Sequence, residues 1–449
     1  MDSPWRTSDR LLAAAILLGG IAVAYGNAFR GDFQFDDYNV IVDNPTVHTW
    51  SAWAGSMPGI RPLLKLSYTL CWTAGLGRFG FHLFNVLCHA AATLLAAALC
   101  LHLASRSKRL APHAAAVALT AGLLFALHPA QTESVTYVSG RSMSLMGTLY
   151  LAAVVVHLRR PGRGGASPAL FAAALAVRET AWTLPLALLL LERAAGVSWR
   201  EAGRRIRWHV AVGLAALLAA LATPGYRRLL AYSLSIRPLG ENLLGQIAAH
   251  SYLLTRPLLL LQTNIDPTLT PPQQLTPGLA AQAGLLLGLL AIGLAMLRSR
   301  PWLGVGIVWT LLHLAPTNLM LPRLDLANDR QLYLALLGPA FVLAAALWAL
   351  LPARAATGAM VALALVLAVA TVLRHEDYRS EVALWAATAA RSPGSARVWN
   401  NLGYAYRLTG DSVRARQAYR NALAIDPDHL KARYNLQALE VEQSPPRSP

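Results

Sequence analysis

Acidic residues are scarce in this chain of 449 residues, which has 22 Asp and Glu against 39 Lys and Arg. Only 14% of the residues are charged and 55% are hydrophobic, a balance typical of a membrane protein. The three cysteines, Cys71, Cys88 and Cys100, show neither paired nor metal-type spacing, which argues against a disulfide scaffold or a zinc site. The basic residues lie in short connectors beside apolar runs, without the aromatic and basic motifs of nucleic-acid binding. We therefore predict a membrane protein that does not bind nucleic acid.

Apolar runs of about 16 to 20 residues recur up to position 374, each long enough, or nearly so, to cross a bilayer. The basic connectors favour about eleven crossings, with the N-terminus inside and the C-terminus outside. Residues 166–195 are interpreted as a short helical hairpin with Arg178 and Glu179 at its outer tip, and 244–262 as an external or re-entrant element. The other predicted spans are 11–29, 82–104, 113–128, 142–158, 207–223, 279–297, 301–320, 331–350 and 355–373. The outer loops are then 30–81, 129–141, 178–179, 224–278 and 321–330.

The composition becomes that of a soluble protein beyond residue 374. Residues 398–427, "VWNNLGYAYRLTGDSVRARQAYRNALAIDP", match the tetratricopeptide pattern. One complete repeat flanked by two halves is fewer than the three that usually make an independently stable array. We predict an all-α protein: a transmembrane domain over 1–374, a repeat domain over 375–441 that leans on it, and a disordered tail over 442–449.

Asp36 and Asp37 lie near the start of the first outer loop, which is much longer than a helix connector needs to be. Adjacent aspartates in a loop often serve only solvation or helix capping. Their pairing also favours a raised pKa on one acid or a bound cation, and both are useful in catalysis. No third oxygen ligand is evident by spacing, so we favour a metal-independent site and leave manganese or magnesium open.

Further polar residues are predicted to lie on the same side. His82, Asn85 and His89 form a polar ridge on one face of the second span, which either joins helices or belongs to a site. His128 ends the third span, and three residues spaced by four follow it, on one face if that segment is helical: Glu133, Tyr137 and Arg141. The remaining members are Arg61, Arg178, Glu179, Arg323, Asp325, Asp329, Arg330 and Tyr333. Because lone charges beside a membrane are costly, their gathering on one side indicates a site.

Arginines and acids at a membrane surface suit a substrate with an anionic phosphate head and an apolar tail. Arginine forks stabilise phosphate oxygens both in the bound substrate and as charge builds on a departing phosphate. A departing lipid phosphate needs no protonating acid, so one carboxylate suffices as the base for an acceptor hydroxyl. Glycoside hydrolases, in contrast, need two carboxylates. The acid pair therefore favours sugar transfer over hydrolysis.

Six motifs followed by the repeat resemble a known family. They are "FDDYNVIVDNP", "RPLLKLSY", "FHLFNVLCHA", "LHPAQTESVTYVSGR", "VRETAWTLP" and "NDRQLYL". In this order they resemble the transmembrane-and-tetratricopeptide-repeat O-mannosyltransferases and their bacterial relatives, of the glycosyltransferase C superfamily. The resemblance covers about 30–440. Two departures are Arg178, where the family usually has a lysine, and a repeat array much shorter than in many members.

The resemblance implies an inverting glycosyltransferase that moves a sugar, mannose in the best-known members, from a polyprenyl-phosphate donor to a Ser or Thr hydroxyl of an exported protein. It implies a bacterial inner membrane location, with the site and the repeat domain on the periplasmic side. It also implies that Asp36 or Asp37 is the catalytic base. We favour Asp36, with Asp37 positioning the acceptor or an ion, and with Glu133 and Arg141 placing acceptor and donor phosphate.

Two alternatives stay open from the sequence. The same chemistry could act on a lipid-linked or surface glycan instead of a protein. The chain could also be a non-catalytic scaffold or a lipid-linked sugar transporter. Transporters commonly have pseudo-symmetric halves, which this sequence does not show.

Overall fold

The computed structural model describes residues 7–162, 164–260, 262–315 and 322–443. Within these ranges every regular element is helical, so the all-α prediction is confirmed. The helices up to Asp377 are α1 (Thr7–Ala24), α2 (Trp50–Gly55), α3 (Pro62–Thr73), α4 (Gly77–Ser105), α5 (Ala114–Ala126), α6 (Thr132–Val135), α7 (Arg141–Arg159), α8 (Ala166–Val177), α9 (Leu184–Ala194), α10 (Trp199–Ala222), α11 (Pro224–Ile236), α12 (Leu239–Thr255), α13 (Pro277–Ser299), α14 (Pro301–Leu314), α15 (Leu332–Ala335), α16 (Leu337–Leu350) and α17 (Ala353–Asp377). Short 3₁₀ or π turns cover Ala28–Arg30, Tyr38–Val42, Pro45–Val47, Ala111–His113, Pro129–Gln131, Val138–Gly140, Glu179–Thr183, Arg256–Leu258 and Asp329–Gln331.

Six of the described helices are long and apolar enough to cross a membrane, or up to eight if each of two bent pairs is one span. The bends measure 54° before Pro129–Val135 and 51° after Asp329–Ala335. The first follows from Pro129, because the residue before a proline avoids helical geometry. The helices α8 and α14 are apolar but shorter than a span, and positions 316–320 of the predicted 301–320 span lie outside the described residues. Eleven crossings therefore stay a prediction.

Two features shape the packing of the helices. The α8 helix ends at Val177 and a 3₁₀ turn leads into α9, so the chain breaks at Arg178 and Glu179 as the hairpin interpretation predicts. Helices α14 and α16 cross backbone to backbone, since a Cβ added to Gly338 would lie 2.3 Å from the carbonyl oxygen of Gly306. That crossing admits only glycine without a shift of the helices.

The C-terminal helices are α18 (Glu381–Arg391), α19 (Ala396–Leu408), α20 (Ser412–Ile425) and α21 (Leu430–Gln443). The predicted domain boundary at 374 falls in the last turn of α17, and residues 444–449 of the predicted tail lie outside the described part. Trp385 and Val398 share one apolar cluster with Tyr137 and Ile265, which lie in two interhelical loops of the membrane domain. The repeat domain is therefore packed onto the membrane domain.

Candidate active site

The two adjacent aspartates have different surroundings. Asp37 is fully buried, and its two carboxylate oxygens accept hydrogen bonds from the backbone N–H of Gln34 at 3.0 Å and of Ser139 at 2.7 Å. Burial raises the pKa of Asp37 to about 7, against the lowering effect of these hydrogen bonds. Asp36 is half-buried, and its carboxylate accepts no hydrogen bond within the described part of the chain. Asp37 therefore fixes the loop, whereas Asp36 is available for chemistry.

The backbone around Asp36 is held in an unusual conformation. Phe35 has φ +47°, a left-handed geometry that non-glycine residues rarely adopt. Its ring packs edge-on against Trp385 of α18, with 5.0 Å between ring centroids. The backbone N–H of Asp36 donates a hydrogen bond to the Tyr137 hydroxyl at 2.9 Å. Contacts from both domains thus hold the loop, and strained backbone of this kind is often found at functional sites.

A narrow pocket opens beside Asp36. The membrane domain contributes acidic, basic and aromatic side chains to it, and the repeat domain contributes two more. The lining residues are Phe35, Asp36, Tyr137, Ile265, Asp266, Asp325, Arg330, Trp385 and Arg397. Ile265, Asp266, Trp385 and Arg397 were not among the sequence-predicted site residues, because Asp266 lies in an irregular loop and Arg397 lies in an ordinary repeat pattern.

Buried acids hold Arg330 at the pocket. Glu133 accepts a hydrogen bond from the backbone N–H of Arg330 at 3.0 Å, and its other oxygen lies 3.5 Å from Nε of the same residue. The neighbouring Asp329 accepts a hydrogen bond from the backbone N–H of Asn264 at 2.6 Å. Both acids are 1% exposed. Glu133 and Asp329 therefore position a cation that faces Asp36.

Three further arginines, Arg61, Arg178 and Arg323, come together behind this cation. Arg61 binds Glu179 with two nitrogens, Nη2 at 2.7 Å and Nε at 2.9 Å. Burial lowers the pKa of Arg178 well below its ordinary value, and repulsion from Arg61, Arg323 and Arg330 adds to this. Burial, and repulsion from Arg330 and Arg61, lower the pKa of Arg323 to about 10.

Two of these guanidinium groups have no carboxylate partner in an ion pair within the described ranges: those of Arg178 and Arg323. Arg178 is 3% exposed and donates to the Ser142 hydroxyl at 2.6 Å. Buried like charges are unfavourable unless an anion compensates them. The cluster of Arg61, Arg178, Arg323 and Arg330 is therefore suited to a phosphate.

The polar ridge of α4 binds the segments that carry the acids. His82 Nε2 lies 3.1 Å from the carbonyl oxygen of Gly31. The Asn85 amide donates to the carbonyls of Val135 and Val138 at 3.0 and 3.2 Å. The first contact fixes the backbone before Asp37, and the second fixes the segment before Ser139, which donates a hydrogen bond to Asp37. This part of the ridge therefore acts on the site by positioning its backbone.

Four other predicted residues are occupied inside the packing. Arg141 is fully buried and donates to Asn85, to the carbonyl of Ser67 and to the carbonyl of Phe81. The other three are His89, Tyr333 and His128. A ring nitrogen of His89 lies 3.0 Å from the Tyr333 hydroxyl, and its other nitrogen lies 3.0 Å from the Ala126 carbonyl oxygen. His128 Nε2 lies 3.2 Å from the Pro257 carbonyl oxygen. The segment from Glu133 to Arg141 is also not one helix, since α6 ends at Val135 and α7 begins at Arg141.

Metal-ligating residues are not grouped in the described ranges: no three His, Cys, Asp or Glu side chains there could hold a metal ion together. The three cysteines are free and buried. Fold and site together define a polytopic helical membrane protein with an acid and arginine pocket closed by a tetratricopeptide domain.

Comparison with known proteins agrees with this description. A model of the tetratricopeptide repeat matches residues 396–429. Protein O-mannosyl-transferase TMTC1 of Mus musculus is 33% identical over 169 residues, which are 34% of this chain and 17% of that protein. Protein O-mannosyl-transferase Tmtc2 of Drosophila melanogaster is 32% identical over 213 residues, which are 41% of this chain and 22% of that protein. Protein O-mannosyl-transferase TMTC3 of Homo sapiens is 29% identical over 164 residues, which are 33% of this chain and 17% of that protein.

These matches confirm the resemblance to the TMTC-like family. The matched region spans about a fifth of the length of these curated relatives. No solved structure gave a significant match.

Proposed function

We propose that the chain is an inverting glycosyltransferase that moves mannose from a polyprenyl-phosphate donor to a Ser or Thr hydroxyl of a protein, on the extracytoplasmic face of a bacterial inner membrane. The observation that carries this proposal is the position of Asp36, a carboxylate without a hydrogen-bond donor in the described part of the chain, in one pocket with Arg330. The names of the relatives support O-mannosyl transfer.

The donor phosphate binds at the arginine cluster. Arg178 and Arg323 lack carboxylate partners in the described ranges, and Arg330 connects the cluster to the pocket. Guanidinium forks match phosphate oxygens, and a bound phosphate anion offsets the burial and the mutual repulsion that lower the pKa of Arg178 and Arg323. As the phosphate departs, its growing negative charge meets these fixed cations, which lowers the barrier without a proton donor.

Asp36 then acts as the base. Its carboxylate removes the proton of the acceptor hydroxyl as the hydroxyl oxygen bonds to the anomeric carbon of the sugar. The bond between that carbon and the phosphate oxygen breaks, and the lipid phosphate leaves with the electron pair. Attack opposite the leaving group inverts the configuration. The products are the glycosylated acceptor, a free lipid phosphate and a protonated Asp36.

A protein acceptor is favoured over a glycan by the repeat domain. A groove on that domain is lined by Asn400, Asn401, Tyr404, Leu430, Lys431, Tyr434 and Asn435. Side-chain amides can pair with both the N–H and the C=O groups of an extended polypeptide. Arg397 of the pocket lies one turn before Asn401 on α19, so an acceptor in the groove would lead toward Asp36.

The test is transfer by purified protein in lipid nanodiscs, with a radiolabelled polyprenyl-phosphate mannose and a Ser/Thr-rich polypeptide. We expect Asp36→Asn to lower kcat by about 10²- to 10⁴-fold, the usual contribution of a general base. Asp32→Asn is the matched control, because Asp32 lies in the same loop and is exposed. Full activity of Asp36→Asn would refute the assignment, and transfer to glycans alone would favour the glycan acceptor.

A further inference from the structure

Arg397 joins the repeat domain to two separate segments of the membrane domain. It lies in the first turn of α19, where one terminal nitrogen pairs with Asp266 and the other lies 2.6 Å from Asp325 Oδ1. The two carboxylates are 10% and 25% exposed, so they are largely shielded from solvent. A planar guanidinium can hold two carboxylates at once with different nitrogens, which the single ammonium of lysine does less well.

Both segments held by Arg397 lead to Arg330. Asp325 precedes Arg330 by five residues. Asp266 follows Asn264 by two residues, and the backbone N–H of Asn264 donates to Asp329 Oδ2 at 2.6 Å. Short connections of this kind leave little freedom between the bridge and the cation of the pocket.

A second contact fixes one of these segments independently. The Ser392 hydroxyl, at the end of α18, accepts a hydrogen bond from the Asn264 side chain at 2.8 Å and donates to the Asp266 carbonyl at 2.9 Å. Ile265, between them, packs in the same apolar cluster as Trp385. The repeat domain thus contacts residues 264–266 through ionic, hydrogen-bonded and apolar groups.

We propose that Arg397 is a positioning residue for the transfer reaction: by bridging Asp266 and Asp325 it closes the pocket around Asp36 and fixes the place of Arg330. The inference rests on the proposed function, because sugar transfer is the reaction that the closed pocket serves. It gives the repeat domain a part in the chemical step, separate from holding an acceptor. Loss of the bridge then affects kcat more than the KM of the acceptor.

The experiment compares full-length Arg397→Ala and Arg397→Lys with Arg407→Ala in nanodiscs. Arg407 is the matched control, because it lies on the same helix and pairs with Glu442 inside the repeat domain, at 2.7 Å. We expect Arg397→Ala to lower kcat by about tenfold to a hundredfold, since a misplacement of about 1 Å can cost this much. Arg397→Lys should recover part of the loss, and Arg407→Ala should keep the wild-type kcat.

Hydrogen exchange gives a second readout that does not depend on activity. In Arg397→Ala the amides of 262–268 and 322–330 should exchange faster than in wild type, and in Arg407→Ala they should not. Unchanged exchange in both segments, or a wild-type kcat for Arg397→Ala, would overturn the inference. A wild-type protein that transfers no sugar would instead refute the proposed function, while the exchange rates would still report on the bridge.

Discussion

At the scale of single residues, the two neighbouring aspartates give different expectations for stability. Asp37 uses both carboxylate oxygens to accept backbone hydrogen bonds, and an asparagine offers only one oxygen while its amide faces the other N–H. We expect Asp37→Asn to lower the free energy of unfolding by about 1–3 kcal/mol, the cost of a buried unmatched donor. Thermal unfolding followed by tryptophan fluorescence measures it. Asp36→Asn is the comparison and should leave the unfolding temperature unchanged; equal losses would contradict the division of roles.

The ion pair of Glu179 predicts a dependence on pH. Burial raises the pKa of Glu179, but Arg61 outweighs this effect and lowers it to about 2, from an ordinary value of 4.5. The pair therefore stabilises the folded state above pH 4.5, and its contribution is lost as the pH falls toward 2. Because the two side chains are 32% and 35% exposed, we expect only about 1 kcal/mol.

The measurement is the unfolding temperature of wild type and Glu179→Gln between pH 3 and 7. The difference in unfolding temperature between the two proteins should be constant near pH 7 and should shrink below pH 4.5. Glu241→Gln, at an exposed position of α12, is the control and should show no such change. A difference that grows as the pH falls would contradict the sign.

Sequence reasoning located the acid pair but could not assign different environments to its members. Composition and loop length single out positions 36 and 37 together. Their difference depends on Ser139, a partner 102 positions away along the chain. The bridge from Arg397 to Asp266 spans 131 positions, and nothing local distinguishes Arg397 from the other arginines on the repeat surface. Long-range contacts of this kind leave no local signature in one sequence.

At the scale of elements, the crossing of α14 and α16 predicts which glycines are essential. A Cβ at Gly338 would lie 2.2 Å from Thr310 Oγ1 as well as against the Gly306 backbone, so the helices would have to separate. We expect Gly338→Ala to lower the free energy of unfolding by about 1–3 kcal/mol through overpacking. Gly358→Ala is the control, because no atom lies within 4 Å of a Cβ at that helical position. Thermal unfolding of both variants in detergent checks the expectation, and equal stability would refute it.

The helices themselves were largely predictable, whereas the segment after the third span was not. Apolar runs mark helices whether or not their surroundings are known. The segment from Glu133 to Arg141 has residues at helical spacing, yet it breaks into a short helix and a 3₁₀ turn. The break allows Asn85 to reach two carbonyls and Ser139 to reach Asp37, so tertiary hydrogen bonds override the local pattern.

At the scale of the whole molecule, the repeat domain and Asp36 must lie on the same side of the membrane, because Arg397 and Asp36 line one pocket. In the proposed orientation that side is extracytoplasmic. Alkaline phosphatase fused to the C-terminus should then be active. A green fluorescent protein fused at the same place should not fluoresce. A fluorescent and phosphatase-inactive pair of fusions would place the pocket in the cytoplasm and contradict the proposal.

The pocket combines Phe35, which follows the first helix, with Arg397 of the repeat domain. A ribosome must therefore make the membrane domain and release the first full repeat helix before the cavity can exist. If the proposed function is right, no transfer could begin during insertion into the bilayer, and a product truncated before Arg397 would occupy the membrane without consuming donor.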